Sequence, residues 1–208
     1  GVGIDMIDFN ALEQYGVRFL HYPGTNKRSV SELVISLAIS LLRRIPLLNH
    51  EVKGDQWRQL PGTCLSEKTF GIVGMGHVGK DLAKLLVAFD CEVLYHDPFV
   101  RNSLHSKAMP LRELLEQADL LSIHLPLNKS TDHMIGADEL SFMRKGSYLI
   151  NTSRGGIVDE KALYQSLTSD HLAGAALDVF EEEPPIGNPL LHLENVIATP
   201  HVGGSTKE

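Results

Sequence analysis

The chain has 208 residues, of which 43% are hydrophobic and 22% charged, and it carries a formal net charge of −7. That length holds one good-sized domain, or one domain with a fragment of another, and the acidic balance argues against a nucleic-acid surface. Cys64 and Cys91 have no paired spacing, so reduced thiols in a cytoplasmic protein are expected rather than a disulfide or a metal site. No apolar run reaches the roughly 18 residues that span a bilayer, and no signal peptide is legible, so no membrane partner is expected. The chain opens on Gly1-Val-Gly-Ile-Asp, which reads as the middle of a longer protein.

In chain order, Val17 to Tyr22 reads as a short strand closed by Pro23-Gly24. Ser29-Val-Ser-Glu32 has the spacing of a capping box, with Ser29 as N-cap. The helix it would open is apolar almost all round, through Leu33, Val34, Leu37, Ala38, Leu41, Leu42 and Ile45. Such a helix is buried on more than one side, which points to a domain or subunit interface. Pro46 should end or kink it, and a polar stretch through Trp57 and Pro61-Gly62 follows.

From Lys68 onward the pattern becomes regular. Strand-like runs fall at Phe70–Val73, Val93–His96, Leu120–His124, Tyr148–Asn151, Ala173–Leu177 and Val196–Ala198. Helical stretches at Val78–Phe89, Leu111–Gln117, Ala137–Met143 and Glu160–Leu167 lie between most of them. The runs are apolar on both faces, as strands are when helices cover both sides of a parallel sheet. The expected fold class is α/β, a doubly wound Rossmann-type sheet.

Gly74-Met-Gly76-His-Val-Gly79 sits directly between the first of these strands and its helix. The three glycines of such a loop serve a tight turn, close approach of backbone to a pyrophosphate, and close helix–strand packing. The helix N-terminus adds unpaired N–H groups and partial positive charge. Asp97, before Pro98, ends the next strand. A carboxylate there accepts from the ribose hydroxyls and repels a 2′-phosphate, so NAD is expected over NADP.

Three further polar residues follow strand-like runs in the second half: Arg154, Glu183 and His201. Reduction of a keto acid needs a cation for the carboxylate and carbonyl, for which a guanidinium fork is well shaped. It also needs an acid that works near neutrality, which histidine supplies, and gains from a carboxylate beside that histidine. Spacing leaves open which of Glu181, Glu182 and Glu183 would turn inward, and Arg154 could equally be a surface loop residue.

Three blocks narrow this: Asn151-Thr-Ser-Arg-Gly-Gly-Ile-Val-Asp-Glu-Lys-Ala-Leu163, Gly174-Ala-Ala-Leu-Asp-Val-Phe-Glu-Glu-Glu-Pro184 and Thr199-Pro-His-Val-Gly-Gly-Ser-Thr206. In this order after the glycine loop they resemble the D-isomer-specific 2-hydroxyacid dehydrogenases, over essentially the whole chain. The resemblance implies that Arg154 orients the substrate, His201 exchanges the proton, and Glu183 is the histidine's partner. It also implies that His77 and Val78 offer backbone donors to the pyrophosphate and that Asp97-Pro98 meets the ribose. Leu125 and Pro126 would line the adenosine, while Thr152, Ser153, Asp178 and the segment from His201 through Gly203 to Gly204 would lie beside the nicotinamide.

Members of that family have two α/β domains with the active site between them. The resemblance therefore divides the chain into residues 1–27, a remnant of the substrate domain and its link, and residues 28–208, the NAD-binding domain. The Gly1-Val-Gly3 turn would then serve the substrate carboxylate, and the fragment alone is expected to be inactive. The helix after Ser29 corresponds to the family's dimerisation arm, so a homodimer through Ser29–Trp57 is expected. The residues after His201 resemble the branch acting on 3-phosphoglycerate, at the start of serine synthesis. Branches reducing glyoxylate or hydroxypyruvate share the motifs, as do NADH-sensing corepressors; formate dehydrogenases carry glutamine where Glu183 stands. The connection from Pro98 to Leu111 is shorter than is usual in relatives.

Overall fold

A computed structural model describes residues 3–4 and 7–207. Its centre is one seven-stranded sheet of parallel strands: β1 (Thr69–Val73), β2 (Glu92–His96), β3 (Lys107–Ala108), β4 (Leu120–Ile123), β5 (Tyr148–Asn151), β6 (Gly174–Leu177) and β7 (Val196–Ala198). Their order is β3-β2-β1-β4-β5-β6-β7. The direction of winding reverses between β1 and β4, the place where doubly wound sheets open a crevice.

The five central strands, β1, β2, β4, β5 and β6, bury side chains on both faces, which is why their runs read as continuously apolar. Phe70, Ile72, Val93, Tyr95, Leu120, Ile150 and Ala176 join one core with α2 (Lys27–Arg43) and α4 (His77–Leu86). Val73, Leu94, Leu121, Ile123, Leu149, Ala175 and Leu177 join the other with α5 (Leu111–Gln117), α6 (Ala137–Phe142) and α7 (Glu160–Thr168). Burying a leucine or isoleucine in such a layer stabilises by about 2 kcal/mol, so neither face tolerates a polar run. The strands and helices expected from Phe70 onward are present within two residues of their expected ends, except at the tail of α4. There Val87–Phe89 tighten into a 3-10 turn.

The first third departs from expectation. Residues 17–22 form no strand: Val17, Leu20 and Tyr22 are exposed, and no described segment pairs with them. Instead α1 (Phe9–Gln14) precedes them, capped by Asp8, whose side chain accepts from Ala11 N at 2.9 Å. The capping box at Ser29 is also absent. Helix α2 begins three residues earlier, with Asn26 as N-cap and no side-chain cap. Ser29 lies inside the first turn, and its hydroxyl donates to Gly203 O at 2.6 Å. Tertiary structure has taken the hydroxyl that local structure would have used.

Arg44, with φ of 51°, ends α2. Pro46 then sits in the first turn of α3 (Ile45–Lys53), where its missing N–H costs nothing. The polar stretch expected here is thus partly helical. Helix α2 packs Val30, Val34, Ile35, Leu37, Ala38, Leu41 and Leu42 into the chain's own core, which absorbs most of its all-round apolar character. Ile45, Val52 and Trp57 remain exposed beyond it. The short connection after Pro98 closes through a bridge between Ser103 and Ser106 before β3. Of the expected Gly1–Gly3 turn, residues 1 and 2 lie outside the described residues.

Candidate active site

The strand register brings the polar candidates into one row. Val73 pairs with His96 and Ile123, Ile123 with Asn151, Asn151 with Leu177, and Leu177 with Ala198. One residue further along, at the carboxyl edge, stand Asp97, Gly74, His124, Thr152, Asp178 and Thr199. The apolar strands therefore end together, and the crevice begins where they end.

Gly74 has φ of 98°, and a Cβ there would run into the carbonyl of His124. A Cβ on Gly79 would strike the carbonyl of Gly74, so helix α4 sits against the loop only because position 79 is glycine. Gly76 differs: a Cβ there would meet nothing within 4 Å. It faces open space at the N-terminus of α4, beside the amides of His77 and Val78, and this is the cradle that a pyrophosphate would fill. Thr152 is buried, and its Oγ1 has no hydrogen-bond partner among the described residues, as suits a group awaiting a ligand. Both observations fit a dinucleotide.

Asp97 is half-buried beside this loop. Its Oδ2 accepts from Met75 N at 2.8 Å, and its Oδ1 accepts from Phe99 N at 2.8 Å and Val100 N at 3.0 Å. Burial pushes the carboxyl upward, but these three donors, with His96 nearby, outweigh it and hold Asp97 below its ordinary value. Asp97 is therefore both a turn residue before Pro98 and an ionised carboxylate at the carboxyl edge of the sheet, with acceptor capacity left on Oδ2. Leu125 is half-buried and Pro126 exposed on the loop after β4.

At the other end of the row, His201 Nδ1 lies 2.8 Å from Glu183 Oε2. The other oxygen, Glu183 Oε1, accepts from Phe180 N at 3.2 Å. Glu181 turns elsewhere, accepting from Glu160 N at 3.1 Å at the start of α7 and facing His133 Nε2 at 3.3 Å, and Glu182 is exposed. Of the three glutamates, Glu183 is thus the one beside His201. A cavity of about 400 Å³ adjoins the pair, lined by Phe180, Glu183, Pro184, Leu191, Thr199 and His201 among others.

Asp178 organises the turn that carries His201. Its buried carboxylate accepts from Thr199 Oγ1 at 2.6 Å, Val202 N at 2.9 Å and Gly203 N at 2.8 Å. His201 N donates to the Asp178 carbonyl at 2.8 Å. Gly204 lies against Asn26.

Arg154 stands on the loop after β5, its Nη1 donating to Ser153 O at 2.6 Å. Asn151 shapes that loop, accepting from Ser153 N and Oγ at 3.1 and 2.8 Å and donating to Arg154 O at 2.8 Å. Gly155 presses on the Phe180–Glu181 peptide so closely that any Cβ would overlap it. The arginine loop and the glutamate loop are thereby held as one piece.

Two residues of this edge carried no sequence expectation. His124 sits 2.8 Å, through Nε2, from the buried Ser122 Oγ, and burial pushes its imidazole down to about 4. Asn151 is the other. Both were visible as polar residues ending apolar runs. Among the described residues no group of three or more His, Cys, Asp or Glu side chains could hold a metal ion, and no helix is long and apolar enough to cross a membrane.

A parallel doubly wound sheet with this loop and this acid defines a dinucleotide-binding domain. Residues 35–203 match the family model of the D-isomer specific 2-hydroxyacid dehydrogenase NAD-binding domain, and the chain belongs to that family. It is 42% identical over its whole length to a D-3-phosphoglycerate dehydrogenase of Bacillus subtilis, covering 41% of that protein. A hydroxypyruvate reductase of Thermotoga maritima is 38% identical, again over the whole chain and 70% of the relative. Among solved structures, a D-lactate dehydrogenase of Aquifex aeolicus complexed with NAD and lactic acid superposes with a TM-score of 0.89 at 32% identity. That match covers 100% of this chain and 69% of the other. The chain spans about two fifths of the length of the Bacillus phosphoglycerate dehydrogenase it matches.

Proposed function

We propose that residues 28–208 are the cofactor domain, and residues 1–27 the remnant and link of a substrate domain, of an enzyme interconverting a D-2-hydroxy acid and its 2-keto acid. The observation that carries this reading is the 2.8 Å contact of His201 Nδ1 with Glu183 Oε2 at the carboxyl edge of the sheet. Bound NAD supplies the acceptor for the hydride on substrate C2.

The chain's own residues do the rest. Backbone N–H groups of His77 and Val78, beside Gly74, Gly76 and Gly79, bind the pyrophosphate. Asp97-Pro98 takes the ribose, and Leu125-Pro126 covers the adenosine. Thr152, Ser153, Asp178, Gly203 and Gly204 flank the nicotinamide. Arg154 grips the substrate carboxylate and the carbonyl oxygen. With Nδ1 committed to Glu183, His201 presents Nε2 to the substrate hydroxyl and takes its proton, returning it in the reverse reaction.

The substrate we propose is 3-phosphoglycerate, supported by the identity to phosphoglycerate dehydrogenases, which would place the enzyme in serine synthesis in the cytoplasm. Glyoxylate or hydroxypyruvate is the second reading, supported by the Thermotoga relative. A homodimer through Ser29–Trp57 is supported by the exposed Ile45, Val52 and Trp57; a monomer at micromolar concentration in light scattering would contradict it. The deciding test is a turnover assay of the full-length protein with a panel of 2-hydroxy acids and NAD. Activity confined to D-isomers, highest with 3-phosphoglycerate, is expected. No turnover with any of them would overturn the reading.

A further inference from the structure

His201 has φ of 53°, in the left-handed region that a non-glycine residue keeps only when its surroundings over-determine it. Asp178 supplies the restraint on the N–H side, holding the amides of Val202 and Gly203 and accepting His201 N on its carbonyl. The carbonyl side has a different anchor. Ser29, in the first turn of α2, donates its hydroxyl to Gly203 O at 2.6 Å, across 174 positions of chain. Gly203 is buried, and a Cβ there would sit 3.0 Å from Asp178 Oδ2 and 3.5 Å from Val30 Cγ2. Its peptide is therefore gripped from the sheet edge on one side and from α2 on the other.

We infer that Ser29 is a positioning residue for His201: its bond to the Gly203 carbonyl holds the histidine turn in the strained conformation that points Nδ1 at Glu183. The role assigned to His201 rests on the function proposed above, whereas the clamp itself does not. Helix α2 is independently fixed to the phosphate-loop helix, since Val30, Val34 and Leu37 share one buried core with Leu82, Ala83 and Leu86, and Arg28 Nη2 also pairs with Asp81 Oδ1 at 2.8 Å. The anchor therefore has a stiff base, and loss of the hydroxyl releases the turn rather than the helix.

The test compares Ser29→Ala and Ser29→Thr with the parent chain. Native-state hydrogen exchange should show the Val202 and Gly203 amides opening roughly tenfold faster in Ser29→Ala, with the Met75 amide unchanged, as one lost hydrogen bond implies. Ser29→Thr should restore the parent rates. In the turnover assay of the full-length protein kcat should fall roughly fivefold to tenfold, with a smaller change in KM for NAD, and Ser29→Thr should restore it. Equal acceleration at Met75 would mean general destabilisation and would overturn the inference, as would unchanged exchange at Val202 and Gly203. If His201→Asn keeps full turnover, the proposed function fails, and exchange at Gly203 still reports on the clamp.

Discussion

The carboxylate of Asp97 accepts the amide of Met75 at 2.8 Å, joining the end of β2 to the middle of the glycine loop. One group thus shapes the glycine loop and, in the function proposed above, also takes the ribose. Asp97→Asn keeps an oxygen for Phe99 N and Val100 N but loses an acceptor for Met75 N, so it should weaken NADH binding and narrow the margin over NADPH. Fluorescence titration with both reduced cofactors measures this, and an unchanged ratio would remove Asp97 from cofactor choice. Because the folded-state carboxyl is held below its ordinary 3.8, its contribution to stability is present above that value. It is lost as pH falls through the folded value, and the Asn variant should lack that acid-side loss in urea denaturation.

Two glycines should separate binding from folding. Gly76→Ala meets no atom within 4 Å, so its melting temperature should stay near the parent's while NADH affinity falls tenfold or more on the order of one lost phosphate contact. Gly155→Ala would overlap the Phe180 peptide and should cost about 3 kcal/mol or more in urea denaturation. A stable Gly155→Ala would show that the two loops are not locked together.

His201→Asn should reduce kcat by about 10²- to 10⁴-fold, the usual range for losing a general acid–base, with NADH affinity retained. Stopped-flow turnover beside fluorescence titration decides it. Loss of both together would mark a histidine that only supports the fold.

His124 gives the domain an acid sensitivity of its own. Burial lowers its imidazole to about 4, so between about pH 6.5 and that value the unfolded chain binds a proton that the folded chain refuses. Its contribution is complete above pH 6.5 and is lost progressively toward pH 4, by roughly 3 kcal/mol over the window. His124→Gln should flatten that part of the stability curve. Equal slopes for both proteins between pH 7 and 5 would refute the assignment.

The second half of the fold was legible because its central strands are buried on both faces and alternate with helices, as in a parallel sheet covered on both sides. The strand β3 escaped because its two residues, Lys107 and Ala108, are exposed and carry no pattern. Val17–Tyr22 misled for the opposite reason: the composition suits a strand, but a strand also requires a neighbour to pair with. Ser29 shows a third limit. Its hydroxyl was expected to bond and does, though to Gly203 rather than to its own helix, and local spacing carries no record of that partner. The choice of Glu183 over Glu181 was closed to spacing alone, and only the resemblance of the block ending at Pro184 pointed to it, because it depends on where α7 begins.

The sheet finishes on one side with the two-residue β3 and on the other with the three-residue β7, whose last residue Ala198 is followed closely by Pro200. Short margins of this kind, one carrying a lysine and the other a nearby proline, give a neighbouring chain little backbone to pair with. Edge-to-edge association between crowded copies of the domain is thereby disfavoured.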